Sequence, residues 1–475
     1  MTIENKNACK KFHFIAIGGI GMSGLAKYLL ELGCEVSGSD VQASKYTKKL
    51  EEKGAKIYIG HDANNVKPDM TVVASTAIRE DNPEKLRAKE LGLKVYHRSD
   101  ILKIISEGLG KTEKPDFIGF SGTHGKTTTS GLCAYVLEKA GFSPSYCVGG
   151  IIPELDTNAK AACGKHFVAE LDESDGTIVK YSPEISVINN LEIDHVDFYK
   201  DGFESLLETF QTHLSKMKEG SKIIINNDND GTRQLMARNP EKFFITFGLE
   251  NADYTAKNIL HSGMKMSFDV YKKDEKIGNL TLSVPGKHNV YNALAVCAAL
   301  LEDGIEFEKI RPHFETFSGM GRRFQTVCDF NGIKIIDDYA HHPSEIKTTL
   351  ESAKNCAPKR LVAIFQPHRY SRLKGLWADF LKAFDSVDKL FVVDIYAASE
   401  DPIEGISAEK FAKEAGAVYA GGTIEESAMK IAQQLESGDM VITLGAGDIT
   451  KIGKLLEDCY TNCHPELVSG SNRRP

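Results

Sequence analysis

Three consecutive α/β domains, each built on a mainly parallel sheet, are what this sequence predicts, and three features carry that expectation. The chain has 475 residues, enough for about three domains at roughly 150 residues each. Short β-rich runs alternate with segments of helical period along most of its length, the pattern of doubly wound sheets. Two of the strand-to-helix junctions are rich in glycine, AIGGIGMSG at 16–24 and GFSGTHGKTTTSG at 119–131.

The first domain, expected over 1–110, opens with the apolar run FHFIAI at 12–17, the glycine turn, and a helix in which Leu25, Leu29, Leu30 and Leu32 recur near helical period. The runs CEVSGSD, KIYIG, DMTVVAS and LKVYHRSDIL supply further strands with helices between them, which makes a Rossmann-like parallel sheet. GLGKTEKP at 108–115 reads as a linker. The second domain, 111–320, repeats strand, glycine turn and helix at 116–141, with companion strands at HFVAE, ISVINN and KIIINND. Between 243 and 284 the runs shorten and alternate, as in a small antiparallel sheet, before a long helix over 285–304. FSGMGRRFQ at 317–325 marks the next boundary, and 321–462 alternates again as a second Rossmann-like domain. Residues 463–475 carry no pattern and are expected to be a disordered tail.

Composition narrows the function classes. No apolar run approaches the length of about 20 residues that spans a bilayer, and the polar first ten residues lack the apolar centre of a signal peptide. Ten cysteines without repeated spacing suit reduced thiols, so a cytoplasmic protein is expected. A net charge of −8 argues against a nucleic-acid surface while leaving room for small anions held by local positive groups.

Gly19, Gly21 and Gly24 satisfy G-x-G-x-x-G directly after a strand, and Asp40 ends the next strand about twenty residues on. Glycines let a diphosphate approach the backbone at a helix N-terminus, where unpaired N–H groups and the helix dipole favour negative charge. That geometry recognises a diphosphate, so both NAD and a nucleoside-diphosphate sugar fit. The second turn lacks the first glycine of G-x4-G-K-[ST], because Phe120 stands there. Gly122, Gly125, Lys126 and Thr127 still supply a backbone nest, a lysine for the β and γ phosphates and a hydroxyl for Mg2+, as in a P-loop ATPase.

Acidic groups follow two strands of the same domain: Glu170, Asp172, Glu173 and Asp175 in one loop, and Asp194, His195 and Asp197 in another. Magnesium takes few protein oxygens beside phosphates and water, so one Glu and one His suffice; a solvated acidic loop is the plainer reading. His288, Asn289 and Asn292 open a helix and could surround a base or merely cap the helix. Arg322 and Arg323 follow a glycine joint, as a phosphate clamp or a solvated hinge. In the last domain Asp338, His341, His342, His368, Arg369 and Arg372 follow strands, and the arginines could grip a carboxylate bidentately.

The ordered set AIGGIGMSG, GTHGKTT, DESD, DHVD, HNVYN, GRRF, DDYAHHP and QPHRYSR resembles the Mur ligase family over about 12–452, and most nearly its alanine-adding branch. The resemblance implies a domain for a UDP-sugar, a central ATPase domain and a domain bringing the amino acid. The implied reaction is ATP-dependent joining of L-alanine to UDP-N-acetylmuramate in peptidoglycan precursor synthesis, with ATP and Mg2+ as cofactors, by a monomer or homodimer. Carried over by motif, Gly122, Thr123, His124, Gly125, Lys126, Thr127 and Thr128 would bind ATP. Thr127, Glu173 and His195 would hold the metal, and His288, Asn289, Asn292, Arg323 and Asp338 the rest of the nucleotide. Gly18, Gly19, Ile20, Gly21, Met22, Ser23 and Gly24, with Asp40 and Ser75, would hold the UDP-sugar. Tyr339, His341, His368, Arg369 and Arg372 would lie by the alanine, and Lys126, Glu173, His195, His341 and Arg369 would carry the chemistry.

Two positions depart from the family pattern: Leu171 replaces the usual alanine, and Phe210 stands where later-acting relatives carry a modified lysine, which the alanine-adding branch also lacks. Ser174 favours the alanine-adding branch over the similar branch that recycles murein tripeptide, which usually carries E-Y-D after the aspartate. A nicotinamide-dependent oxidoreductase and a nucleotide-switched regulatory protein are the alternatives of other classes; the first leaves 119–131 and the acidic loops without a use.

Overall fold

The computed structural model describes residues 11–76, 78–110, 113–193, 198–398 and 400–463. It forms two compact units. One runs to Asn258 and includes Phe268–Leu280 and Val290–Phe317; the other contains Ile259–Ser267, Thr281–Asn289 and the chain from Ser318 onward.

The first sheet holds β1 (Lys11–Ile15), β2 (Glu35–Asp40), β3 (Lys56–Ile59), β4 (Met70–Ala74) and β5 (Val95–His97) in the order β3-β2-β1-β4-β5. All its pairings are parallel. Succession runs outward from β1 in both directions, so the turn after β1 sits at the topological switch point, where parallel sheets open a crevice.

The second sheet comprises β6 (Asp116–Ser121), β7 (Ser145–Ile152), β8 (Thr157–Lys160), β9 (His166–Glu170), β10 (Ile185–Ile188), β11 (Lys222–Asn226), β12 (Phe244–Gly248), β13 (Tyr254–Ser262), β14 (Lys265–Lys272) and β15 (Glu275–Leu282). Its order is β15-β14-β13-β12-β11-β10-β6-β9-β7-β8, so β6 also lies at a switch point. The short alternating runs of 243–284 join this sheet through the parallel pairing of β12 with β11. The hairpin β7–β8 had no clear signal in the sequence, since Gly149 and Gly150 interrupt its apolar pattern and the register shifts between Cys147 and Ile152.

One buried cluster runs through both sheets and includes Phe12, Phe14, Leu29, Phe117, Phe167, Leu207 and Ile225. Tyr28 meets Phe167 edge to face at 6.0 Å. Each such buried aromatic or aliphatic side chain stabilises the unit by about 1.5–3 kcal/mol, and the continuity of the cluster makes the first two expected domains one compact body. The helix Lys126–Lys139 is buried at every position from Thr129 to Leu137, which explains its nearly uninterrupted run of small and apolar residues.

The third sheet holds β16 (Gln325–Phe330), β17 (Ile333–Asp338), β18 (Arg360–Phe365), β19 (Lys389–Val392), β20 (Val418–Tyr419) and β21 (Asp439–Leu444), ordered β16-β17-β21-β18-β19-β20. Strand periodicity divides its core in two. Ile336, Phe365 and Ile442 pack with Leu350, Phe380 and Phe411 on one face, while Ile335, Ile364 and Val441 pack with Ile431 and Leu456 on the other. Among the described residues β16 pairs antiparallel with β17, and the other pairings of this sheet are parallel. Among the described residues no helix is long and apolar enough to cross a membrane.

Candidate active site

Phe120 is fully buried in β6, so the chain is still strand at the position where the usual motif has glycine. The turn begins two residues later. Gly122 has φ 120° and a Cβ there would lie 2.8 Å from the Asn190 carbonyl oxygen; Gly125 has φ 81° and a Cβ would lie 2.8 Å from Asn292 Oδ1. Both positions therefore require glycine for backbone conformation and for space. The helix starts at Lys126 with no side-chain cap, so the N–H groups of Lys126, Thr127 and Thr128 have no acceptor within the helix and form an anion cradle.

The turn is pinned by residues that sequence reading treated only as a strand end. His124 N donates to Asn190 Oδ1 at 2.7 Å, Asn190 Nδ2 donates to His124 O at 3.1 Å, and Asn189 Nδ2 donates to Thr129 Oγ1 at 3.1 Å. Thr123 Oγ1 donates to Glu192 O at 3.1 Å, which turns that hydroxyl away from the cradle. The available signal was two adjacent amides ending an otherwise apolar strand.

Lys126 Nζ donates to Gly122 O at 2.7 Å, Thr123 O at 3.0 Å and Glu173 Oε1 at 2.9 Å. Glu173 is 1% exposed, and its Oε2 is buried without a hydrogen-bond partner. Burial pushes the Glu173 carboxyl up against the opposing pull of Lys126, and the same burial is outweighed for Lys126, whose pKa is raised by Glu173 and Asp172. Asp172 is held at about 2: burial raises it, and Lys126 and Arg98 more than reverse that. An orphaned carboxylate oxygen beside a phosphate cradle, with Thr127 at the start of the helix, is a donor set that fits a hard cation such as Mg2+. His195, Asp194 and Asp197 lie outside the described residues. Leu171 is wholly buried, and a Cβ on Gly119 would meet its Cδ1 at 2.6 Å, so the bulkier residue fits because glycine faces it.

At the first turn, Gly19 precedes the helix Ile20–Glu31, again without a side-chain cap. Gly18 N donates to Asp40 Oδ2 at 2.8 Å, so Asp40 fastens the turn itself. Ser23 Oγ donates back to Ile20 O at 3.1 Å, leaving the backbone as the anion-facing surface. Met22 is buried, and Ser75, half-buried, directly follows β4, the neighbour of β1. Two groups not anticipated from sequence adjoin the turn. Asn158 Nδ2 donates to Ile20 O at 2.9 Å, and Arg98 Nη2 is paired with Asp172 Oδ2 at 2.6 Å.

The residues expected around the base divide. Asn289 Nδ2 donates back to Pro285 O at 2.7 Å, a bond to the segment before the helix and not a cap on its N–H groups, whereas Asn292 adjoins the second glycine turn at Gly125. The His288 imidazole is pushed down to about 4, by burial first and by Arg323 second, and is neutral near pH 7.

In the second unit Arg322 is consumed by the fold: its Nη2 donates to Gly445 O at 2.6 Å and its Nε to Asp337 Oδ2 at 3.2 Å. The Arg323 guanidinium lies 5.4 Å over the Tyr339 ring with no hydrogen-bond or ion-pair partner among the described residues, so Arg323 is the arginine available to a phosphate. Asp338 accepts from Phe324 N at 2.7 Å and Ala340 N at 2.8 Å. Burial lifts its carboxyl to about 6 against the pull of Arg323 and those two N–H groups.

That shift has a testable sign. The folded-state value lies above the ordinary 3.8, so the stability it contributes is complete below pH 3.8 and is lost as pH rises through about 6, by about 3 kcal/mol in all. The expected result is that the stability advantage of the wild type over Asp338→Asn shrinks by that amount between pH 4 and pH 7. Denaturation followed at Trp377, the chain's one tryptophan and a member of this unit, checks it; an unchanged difference across that range refutes it.

Tyr339, His341, His368 and Arg372 converge. The Tyr339 and His341 ring centroids are 5.3 Å apart, those of His341 and His368 5.7 Å, and Arg372 Nη1 donates to His368 Nδ1 at 3.1 Å. That donation places the His368 proton on Nε2. Burial, then His341 and the two arginines, push His368 down to about 4; burial also lowers His341. His368 stacks on Tyr396 at 5.5 Å and 11°. Arg369 adopts φ 72° and its Nε faces Glu400 Oε1 at 3.4 Å. Two arginines beside neutral imidazoles suit a carboxylate ligand. His342 instead caps the helix Pro343–Asn355.

Two glycine turns at switch points, each opening a helix without a side-chain cap, and an arginine–histidine cluster on a third sheet follow one another along the chain, and three family domains match in the same order. They are the Mur ligase family catalytic domain over 11–108, the Mur ligase middle domain over 120–300 and the Mur ligase glutamate ligase domain over 322–447. The chain belongs to the Mur ligase family. It is 41% identical to the UDP-N-acetylmuramate–L-alanine ligase of Geotalea daltonii over 457 residues, covering 94% of this chain and 97% of that protein. It is likewise 41% identical to the enzyme of that name from Aquifex aeolicus, over 93% and 96% of the two chains. Among solved structures, UDP-N-acetylmuramate–alanine ligase from Thermotoga maritima superposes with a TM-score of 0.82 at 28% identity, covering 95% and 99%. A murein peptide ligase from Psychrobacter arcticus shares the fold, with a TM-score of 0.69 at 22% identity over 95% and 99%.

Proposed function

We propose that this protein joins L-alanine to the carboxylate of UDP-N-acetylmuramate, converting ATP to ADP and phosphate. The observation that carries the reading is the pair of uncapped helix N-termini at two switch points of one compact unit, one of them closed by the buried Lys126–Glu173 pair. Two such cradles serve two phosphorylated ligands. Similarity to alanine-adding ligases over nearly the whole of both chains supports the choice of substrates, and favours them over the tripeptide of the recycling branch.

A carboxylate is a poor electrophile, so the chemistry needs an activated acyl group. The muramate carboxylate oxygen attacks the γ phosphorus, ADP leaves, and an acyl phosphate results. The neutral amine of alanine then attacks the acyl carbon; phosphate leaves as the C–N bond forms, and the amine gives up its proton. In this reading the Lys126–Thr128 N–H groups and the Lys126 ammonium orient the phosphates and offset charge developing on the phosphoryl oxygens. Thr127 and Glu173, with His195, would hold Mg2+, which would supply further neutralisation of phosphate charge. Arg323 and Asp338 bind the rest of the nucleotide. Arg369 and Arg372 hold the alanine carboxylate, and His341, neutral near pH 7, accepts the amine proton. The diphosphate of the sugar nucleotide lies on Gly18–Gly24. Residues 1–110, 111–320 and 321–462 divide these tasks, and the reaction belongs in the cytoplasm.

ADP release measured with UDP-N-acetylmuramate, ATP and Mg2+ is expected only when L-alanine is added. With 18O in the muramate carboxylate, one label is expected in the phosphate released. AMP formation, or label-free phosphate, rejects the mechanism; ATP binding without alanine-dependent ADP release favours a nucleotide-switched protein instead.

A further inference from the structure

Arg98 has no part in the scheme above, yet it stands between its two cradles. It is the first residue of the helix Arg98–Ser106 and points into a recess of about 70 Å3 lined by Gly21, Gly24, Asn158, Asp172 and Tyr181 among others. The two ends of its guanidinium face different elements. Nη2 is paired with Asp172 Oδ2 at 2.6 Å, in the acidic loop adjoining Lys126. Nη1 lies 3.4 Å from where a Cβ on Gly21 would be, at the first turn of the helix that follows the first glycine loop.

The donors are spent unequally. Among the described residues Nη2 has its carboxylate, whereas Nε and Nη1 have no acceptor. The side chain is one-third exposed, so those donors meet the recess and solvent. A guanidinium is a planar fork whose paired N–H groups match phosphate oxygens, and fixing one end on a carboxylate removes most of the rotamer freedom that binding would otherwise cost. Gly21 has no side chain to stand between the fork and an anion seated on the helix N-terminus.

We propose that Arg98 is a substrate-binding residue that grips the diphosphate of the sugar nucleotide through Nη1 and Nε while Nη2 stays on Asp172. The backbone cradle of Gly18–Gly24 supplies oriented dipoles but no full positive charge, and no lysine or arginine lies within that turn; Arg98 provides the missing charge. Through Asp172 the same side chain ties the occupied first cradle to the acidic loop beside Lys126. This inference rests on the ligase reading.

The test compares UDP with uridine, which share the base and ribose and differ in the diphosphate. Dissociation constants by calorimetry are expected to rise tenfold or more for UDP in Arg98→Ala and to stay unchanged for uridine. Arg98→Lys, which keeps the charge and loses the fork, should fall between wild type and Arg98→Ala. A cooperative melting transition in each variant shows that the unit is folded. Equal weakening of UDP and uridine would make Arg98 a strut between packed elements and overturn the proposal, as would undiminished UDP binding in Arg98→Ala. Failure of the wild type to release ADP in response to UDP-N-acetylmuramate and alanine counts against the ligase reading instead, so the two are separable.

Discussion

Replacing Lys126 by alanine is expected to lower the rate of alanine-dependent ADP release by about a thousandfold, close to 4 kcal/mol of transition-state stabilisation. Among the described residues Lys126 is the one ammonium hydrogen-bonded within the second cradle, where it bridges two carbonyls of the turn and the Glu173 carboxylate. In a phosphoryl transfer with little covalent work for the protein, positioning and charge neutralisation account for most of the acceleration, so the loss falls on kcat. The substitution also strands Glu173 in a site where burial already raises its pKa, and the variant is expected to take up a proton there. Steady-state ADP release with a melting curve in the same buffer separates catalysis from folding. A folded variant with wild-type turnover refutes the role of this loop as an ATP site.

The second large effect is expected at Glu173. Glutamine preserves the volume and can still accept from Lys126 through its amide oxygen, so the turn should stay folded. What changes is the orphaned Oε2, which becomes either an NH2 group or a neutral acceptor and in both cases a poor ligand for a hard cation. Glu173→Gln is therefore expected to lower kcat by about a hundredfold or more and to raise the Mg2+ concentration needed for half-maximal activity. Titrating Mg2+ at fixed ATP decides the matter. A variant with reduced kcat but an unaltered Mg2+ requirement would show that Glu173 serves Lys126 alone.

The periodic elements were legible because periodicity is a local property. The alternation of Ile335 with Ile336 and of Ile364 with Phe365 assigns the two faces of the third sheet without knowledge of its strand order. The glycine turns were legible because φ near 120° at Gly122 and 81° at Gly125 leaves few other residues possible. What stayed hidden depends on partners distant in sequence. Asn158 approaches Ile20, Arg98 approaches Gly21 and Asp172, and Asn190 braces His124, and none of these pairs leaves a mark in spacing. The adjacent arginines 322 and 323 are equivalent as letters and diverge only because one of them reaches Asp337 and Gly445. Asp40 was read as a ligand-facing acid, and its bond to Gly18 N shows that it also builds the turn.

Phe120 has one further implication. The residue occupying the place of the usual glycine is fully enclosed in the interior, one peptide removed from Ser121 and two from Gly122, the first glycine of the turn. The proposed ligand turn and the hydrophobic interior thus share a single uninterrupted stretch of main chain, with no slack segment to decouple them. A substitution at 120 is therefore expected to disturb the packing of the interior and the conformation of the turn together.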